Sequence, residues 1–189
     1  MNQTSIFLTG AALLATLACG GGAGGGGSTG TPAARLTYTL TAQDTWRLVE
    51  DAASTDTLKI LDLMAPSNAS GNGVCLTLTT NPAQAGWAVL SPSSAGARYA
   101  LQTLFASPTE YVATVGGSGA ELHILLAQVP GGTLVSYGSV PVVQVALQKA
   151  SSATVGSVPL AASDSGHLGS AATPEAITVD VGSLQAVAP

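Results

Sequence analysis

The chain has few charged side chains for its length. Of 189 residues only 8% are charged, and five Lys or Arg stand against ten Asp or Glu, which gives a formal net charge of −5. An average soluble domain carries about 25% charged residues, so this surface must be built from uncharged polar residues, as is common in exported β-rich proteins. The basic residues are scattered singly, and no basic stripe is available to neutralise phosphates. We therefore expect no nucleic acid among the partners.

Metal-binding side chains are also scarce. With only two His and one candidate free Cys, which lie far apart in the chain, a zinc site of three or four protein ligands cannot be argued. Calcium takes six to eight oxygen ligands, including several carboxylates. The candidates are Asp44, Asp51 and Asp56, but no D-x-D-x-D-G loop is present. We therefore expect no cofactor, and a structural calcium ion held by these carboxylates is the alternative.

The first 34 residues contain no charged side chain, and residues 6–18 are mostly apolar. This segment is too short to cross a bilayer, which takes about 20 residues, and it has the length of a signal-peptide core. Small residues, Ala15 and Ala18, precede Cys19. The arrangement resembles the bacterial lipoprotein signal, which is cut before a cysteine that receives a diacylglycerol. The resemblance implies a signal peptide over 1–18, a lipid on Cys19 that inserts in the bilayer and, because Gly20 follows, delivery to the outer membrane.

Residues 19–34 are rich in glycine and predict a flexible tether. A Gly-rich coil of about 15 residues spans about 20 Å, enough to hold a domain clear of lipid headgroups. The alternative is an ordinary secretory signal cut after Ala18, with Cys19 free or paired with Cys75, because Thr16 stands where the lipoprotein signal favours Leu. Both interpretations predict export.

The remaining residues, 35–189, predict one all-β domain. Apolar and polar residues alternate with the period of half-buried strands, and Gly, Pro and Asn turns separate the runs. One helical turn is expected near 97–105, and a hairpin is expected from 121–129 and 133–137, joined by Pro-Gly-Gly. Many short strands with such turns indicate a β-sandwich. The clearest alternating runs are 35–40, 73–80, 121–129, 141–149 and 176–184, and less regular ones are 58–66 and 86–90.

Residues 58–90 contain LDLMAP, the loop SNASGN, GVCLTLT and a run with Trp87, in that order. The order resembles the opening strands of cohesin-like domains in exported bacterial lipoproteins. Residues 127–140 are similar to a later hairpin of those domains, 141–162 to the next two strands and 177–184 to the closing one. The resemblance implies a jelly-roll sandwich of about nine strands, of the cohesin/carbohydrate-binding-module type, used for adhesion rather than catalysis.

One short segment carries the side-chain types of a hydrolase. SDSGHLGS, at 163–170, contains Ser163, Asp164, Ser165 and His167. Residues so close in sequence rarely reach triad geometry, and no G-x-S-x-G motif accompanies them. We predict a solvated turn and no enzymatic activity, with a hydrolase as the lesser alternative.

Four further side chains bear on ligand binding. Sugar-binding sandwiches use exposed aromatic rings, and Trp46, in a mixed polar segment, is the candidate exposed, ligand-contacting ring, whereas Trp87 is expected in the core. His123 is expected at the surface, and Cys75 is expected to be a packed, inert thiol.

These observations predict a membrane-anchored exported lipoprotein that presents a non-catalytic β-sandwich. Its partners would be the lipid bilayer, through acylated Cys19, and an unidentified protein or glycan at the cell envelope. The alternative is a structural subunit of an envelope or extracellular assembly.

The lipid anchor predicts that cells fed labelled palmitate transfer the label to this protein, and that Cys19→Ser abolishes the labelling because the thioether can no longer form. Gel fluorography of the immunoprecipitated protein measures it. Cys75→Ser is the matched control and should keep the label. Label that survives Cys19→Ser would show the anchor assignment to be wrong.

Overall fold

The computed structural model describes residues 30–41, 43–90, 119–128, 133–138, 140–170 and 173–189, together with the backbone of 97–99 and 109–115. In these ranges the chain forms fifteen β-strands and no helix. Accordingly, no helix long and apolar enough to cross a membrane occurs among the described residues. Eight of the strands have five residues or more.

The strands are numbered in the order in which they occur along the chain. In order they are β1 (Arg35–Thr39), β2 (Arg47–Glu50), β3 (Leu58–Met64), β4 (Ser70–Gly71), β5 (Gly73–Thr80), β6 (Ala85–Trp87), β7 (Ala97–Tyr99), β8 (Thr109–Val115), β9 (Glu121–Gln128), β10 (Val135–Ser136), β11 (Val143–Lys149), β12 (Gly156–Val158), β13 (Leu160–Leu168), β14 (Glu175–Ala176) and β15 (Ser183–Val187).

Two five-stranded sheets form the body of the molecule. Sheet I has the order β2-β3-β11-β6, and β7 pairs with another part of β11. Sheet II has the order β14-β13-β5-β9-β8. Two smaller sheets, β1-β15-β12 and β10-β4, complete the fold, and all pairs of named strands are antiparallel.

Sheet II buries one face and exposes the other. Leu76 of β5 is paired with Ile124 of β9, so apolar residues at alternate positions of both strands share one face. The residues on either side of Ile124 in β9, His123 and Leu125, are exposed. The alternation predicted for these two strands is confirmed. The inward set is Val74, Leu76, Leu78, Leu122, Ile124 and Leu126, each no more than 3% exposed.

Sheet I supplies the facing half of the same core. The inward residues of β2, β3 and β11 belong to one hydrophobic cluster with the inward residues of sheet II. Trp87 of β6, expected in the core, is half-buried and packs against this cluster. The prediction of an all-β sandwich is therefore confirmed. The inward residues of sheet I are Leu48, Leu61, Leu63, Val143, Val145 and Leu147.

The predicted hairpin between 121–129 and 133–137 is wrong. Both edges of β9 are already hydrogen-bonded, one to β5 and the other to β8, so no edge remains for the next segment. Residues Val135 and Ser136 pair instead with Gly71 and Ser70. This pairing buries the ring of Tyr137 completely, and core burial of a large ring outweighs the local preference for a hairpin.

Two other predicted elements differ from the structure. The helical turn expected near 97–105 is replaced at 97–99 by strand β7, which pairs with β11, and 100–105 lie outside the described residues. The strand expected over 176–184 is interrupted between β14 and β15. Gly182 has a φ of +63°, a left-handed conformation that ends an extended run.

Gly71 lies where two strands and two aromatic residues meet. A Cβ at this position would overlap the carbonyl oxygen of Leu168 and Nε2 of His167, and would come within 2.7 Å of the Tyr137 hydroxyl. Only glycine therefore allows β4, β10 and β13 to approach this closely.

Replacing Gly71 by Ala is expected to lower the free energy of unfolding by about 1–3 kcal/mol, the usual cost of an overpacked site. The backbone of β13 cannot move away without breaking its ladder with β5. Urea unfolding followed by circular dichroism measures the change. Gly86→Ala, where a Cβ would meet nothing within 4 Å, is the matched control and should change stability by less than about 0.5 kcal/mol. Equal effects at the two positions would contradict the packing described for Gly71.

Candidate functional site

The segment with hydrolase-type side chains is part of a strand and not a solvated turn. β13 pairs with β5 throughout, but its register shifts between Ser163 and Gly166, where β13 has one extra residue. Ser163 is paired with Thr77 and shares the outer face of sheet II, whereas His167 is paired with Val74 and shares the inner face. The bulge thus places the serine and the histidine on opposite sides of the sheet.

The hydrogen bonds of this segment agree with that separation. Nε2 of His167 lies 3.1 Å from the carbonyl oxygen of Ser70. The Ser165 hydroxyl donates to the carbonyl oxygen of Ser163 at 3.2 Å, and the Ser163 hydroxyl donates to Oδ2 of Asp164 at 3.5 Å. Two serines, an aspartate and a histidine are therefore present, but the histidine is not positioned to accept a proton from either hydroxyl.

Trp46 is not exposed, and the prediction of an exposed ligand-contacting ring there is wrong. Its side chain is 6% exposed, and its ring centroid lies 5.6 Å from that of Tyr137 and 5.4 Å from that of His167. The cause is a backbone pairing that the sequence does not reveal. The carbonyl oxygen of Trp46 accepts from the amide of Asp180, and this contact fixes the start of β2 against the 180 segment with the ring turned inward.

Tyr137 completes this aromatic cluster, and the sequence reasoning missed its role. Its ring is fully buried, and its hydroxyl donates to the carbonyl oxygen of Gly73 at 3.1 Å. Burial raises the pKa of Tyr137 to about 12. An isolated tyrosine after a short apolar run carries no signal for such a position, because the cluster is assembled from three residues, Trp46, Tyr137 and His167, that are distant in the sequence.

The carboxylates proposed for calcium have separate local partners. Both oxygens of Asp44 accept hydrogen bonds from Ser67, at 2.6 Å from the hydroxyl and 2.8 Å from the amide, and these bonds lower the pKa of Asp44. The oxygens of Asp51 accept from the amide of Ala53 and from the Gln144 side chain. Among the described residues, no group of three or more Asp, Glu, His or Cys is placed to hold a metal ion.

The outer face of sheet II contains a shallow groove of about 240 Å³ across β13, β5 and β9. We call it the outer groove. Its floor includes Leu125, which is 49% exposed, and the half-buried thiol of Cys75, whose Sγ lies 3.9 Å from the carbonyl oxygen of Asp164. The side chains and backbone that line it belong to Cys75, Leu76, Thr77, His123, Ile124, Leu125 and Asp164.

Thr77 and His123 line the outer groove and contact each other, and His123 also contacts Glu121 just beyond the groove. Nδ1 of His123 lies 3.0 Å from the Thr77 hydroxyl, and Nε2 lies 3.3 Å from Oε2 of Glu121. His123 and Thr77 are directly paired across two strands, so the register of β5 and β9 sets the first contact. Glu121 and His123 are two residues apart on β9 and therefore share a face. His123 is at the surface, as predicted.

Asp164 forms the opposite wall, within the bulge of β13. Its φ is +48°, a left-handed conformation that residues other than glycine rarely adopt. β-Bulges bend a strand and redirect its side chains, and here the carboxylate is exposed at the edge of the outer groove. The signal peptide predicted over 1–18, Cys19 and most of the tether lie outside the described residues.

Comparisons with known proteins give only distant structural similarity. No protein-family model matches the chain, and no curated protein matches it significantly. Among solved structures, the chain is similar to the cohesin module of a family 33 glycoside hydrolase from Clostridium perfringens, with 13% identity over 80% of this chain and 99% of that one, at a TM-score of 0.33. A likeness at this TM-score carries no inference, so the sandwich assignment rests on the strand pairing itself.

The raised pKa of Tyr137 predicts a loss of stability at high pH. Below pH 10 both states hold the phenol proton; between about pH 10 and 12 the unfolded chain loses it first, so stability falls as pH rises, until the folded state also ionises. Tyr137→Phe should reduce this slope by up to about 1.4 kcal/mol per pH unit. Urea titrations from pH 9 to 12 measure it. Stability should still fall somewhat with pH in the variant, since burial also raises the pKa of Tyr38. Identical slopes in both proteins would contradict the buried position of the phenol.

Proposed function

We propose that this chain is an exported bacterial lipoprotein, held by a lipid on Cys19 at the periplasmic or cell-surface face of the outer membrane, that presents a non-catalytic β-sandwich for binding a protein. The apolar segment 6–18, Cys19 and the glycine-rich tether support the anchor. The low fraction of charged residues supports export.

The outer face of sheet II is the observation that carries the binding role. The Thr77 hydroxyl and the exposed side chain of Leu125 both line the outer groove there, which combines apolar contact with hydrogen-bonding capacity. Protein interfaces have this mixed composition, with a small apolar centre and a polar rim. The separation of Ser163 and His167 on opposite faces favours binding over hydrolysis by this segment.

The aromatic side chains favour a protein partner over a glycan. Stacking on a sugar needs a flat exposed ring, but Trp46 and Tyr137 are buried in the core. The Tyr38 hydroxyl donates to the carbonyl oxygens of Leu48 and Val181, and Trp87 is half-buried with its Nε1 bonded to Ala120. The side chains of Tyr99, Phe105 and Tyr111 lie outside the described residues.

The open edge of β13 favours a second candidate function, a structural subunit of an envelope or extracellular assembly. β14 pairs only with Gly166 and His167. Residues 160–163 of β13 therefore have β5 on one side and no described strand on the other. Such an edge can add a strand from another subunit.

The two candidates differ in oligomeric state and in the surface used. We expect full-length protein in detergent to sediment as a monomer at concentrations on the order of 10–100 μM. We also expect it to bind an envelope protein but no member of a glycan panel. Leu125→Asn should weaken binding about 5-fold or more, since truncating a central apolar contact costs about 1 kcal/mol or more.

Val155→Asn, another exposed apolar residue but outside sheet II, is the matched control and should leave binding unchanged. Concentration-dependent oligomers without partner binding would instead support the structural subunit. Binding to glycans but not to proteins would overturn the preference for a protein partner.

A further inference from the structure

We propose that the outer groove receives the side chain of a lysine or arginine from an extended segment of the partner protein. This inference rests on the proposed binding function and specifies the chemistry of the partner.

Charge is divided unevenly between the two main sheets. The strands of sheet II carry four acidic residues and no lysine or arginine, whereas the strands of sheet I carry four basic residues and two acidic ones. The negative sheet therefore attracts a basic partner and orients it before contact. The acidic residues of sheet II are Glu110, Glu121, Asp164 and Glu175, and the basic residues of sheet I are Arg47, Lys59, Arg98 and Lys149.

The floor of the outer groove suits the apolar part of such a side chain. Leu125 and the Cys75 thiol are both accessible in it, and no charged group lies between them. Lysine and arginine lay their methylene chains on apolar surface and keep the charged end near water or an acidic group. A neutral apolar side chain would use the floor alone, and an acidic one would be repelled at the walls.

One carboxylate lines the outer groove, and a second lies just beyond its other side. Glu121 lies on the β9 side, and its contact with His123, which in turn contacts Thr77, restricts where its carboxylate can move. Asp164 lies on the β13 side, and its carboxylate accepts a long hydrogen bond, 3.5 Å, from the Ser163 hydroxyl. A cation seated on the floor thus lies beside Asp164 on the β13 side, and Glu121 adds negative charge beyond His123 on the β9 side.

Asp164 has a left-handed backbone conformation, and a bulge with only a structural role would not require a carboxylate at this position. Glycine would adopt this conformation without cost, yet the position holds a residue with an exposed carboxylate. Backbone strain alone identifies no site. Here, however, the strained residue carries a carboxylate and lies at the edge of a groove with an apolar floor. The strands of this sheet contain no lysine or arginine.

The experiment measures fluorescence anisotropy of labelled peptides of the form Thr-Val-X-Val-Thr with full-length protein in detergent. X is lysine, arginine, norleucine or glutamate. We expect the lysine and arginine peptides to bind at least about 5-fold tighter than the norleucine peptide, as one or two accessible ion pairs give. This preference should shrink when NaCl is raised, because salt screens exposed charges.

Asp164→Asn should weaken the lysine peptide about 3- to 5-fold and leave the norleucine peptide unchanged. Asparagine tolerates the left-handed backbone, so the variant is expected to fold, and Asp164→Gly is a second variant for which this backbone is unstrained. Asp56→Asn, an exposed carboxylate outside sheet II, changes net charge equally and is the control. It should alter no affinity.

Equal binding of the lysine and norleucine peptides, or no binding of any peptide, would overturn the inference. So would equal losses in Asp164→Asn and Asp56→Asn, because net charge alone would then explain the attraction. If Leu125→Asn still weakens a captured partner protein while the peptides show no basic preference, the binding function stands and only the basic partner is wrong.

Discussion

The register between β5 and β9 is the constraint on which the rest of the structure depends. Pairing Leu76 with Ile124 directs one apolar set toward sheet I and, by the same geometry, directs Thr77 and His123 outward into contact with each other. A slip of one residue would turn the apolar set to solvent and place the polar pair in the core. Burial of these leucines therefore determines both the stability of the sandwich and the layout of its outer surface.

The alternation of apolar and polar residues made the core strands predictable. Elements whose positions depend on pairing between distant segments could not be predicted. The inward faces of β5 and β9 follow from the sequence because each strand has one buried face. The positions of Trp46 and Tyr137 do not, because their burial depends on the 180 segment and on residues 70–71, which no local pattern connects. The hairpin at Pro-Gly-Gly failed for a related reason: turn chemistry says that a chain can reverse, not which edge is free.

The candidate site was only partly visible in the sequence. The period of β9 alone predicted that His123 lies at the surface, whereas Asp164 was considered only as part of the hydrolase-type segment and not as a groove residue. What could not be foreseen was the grouping of these residues with Thr77, since it requires the order β13-β5-β9. The division of charge between the sheets is likewise hidden in a chain whose basic residues are evenly scattered, because only the topology assigns each of them to a sheet.

The bulge in β13 changes which residues of this strand face outward. Before it, odd-numbered residues such as Ser163 point outward; after it, even-numbered ones do, and His167 points inward. The alternation of inward and outward side chains along β13 therefore shifts by one position at the bulge. A deletion of one residue at 164–165 would remove the bulge and leave Ser163 paired with Thr77 and Gly166 paired with Cys75, so both halves of the strand would keep their faces. A one-residue change elsewhere in β13 would instead turn the residues beyond it to the opposite face.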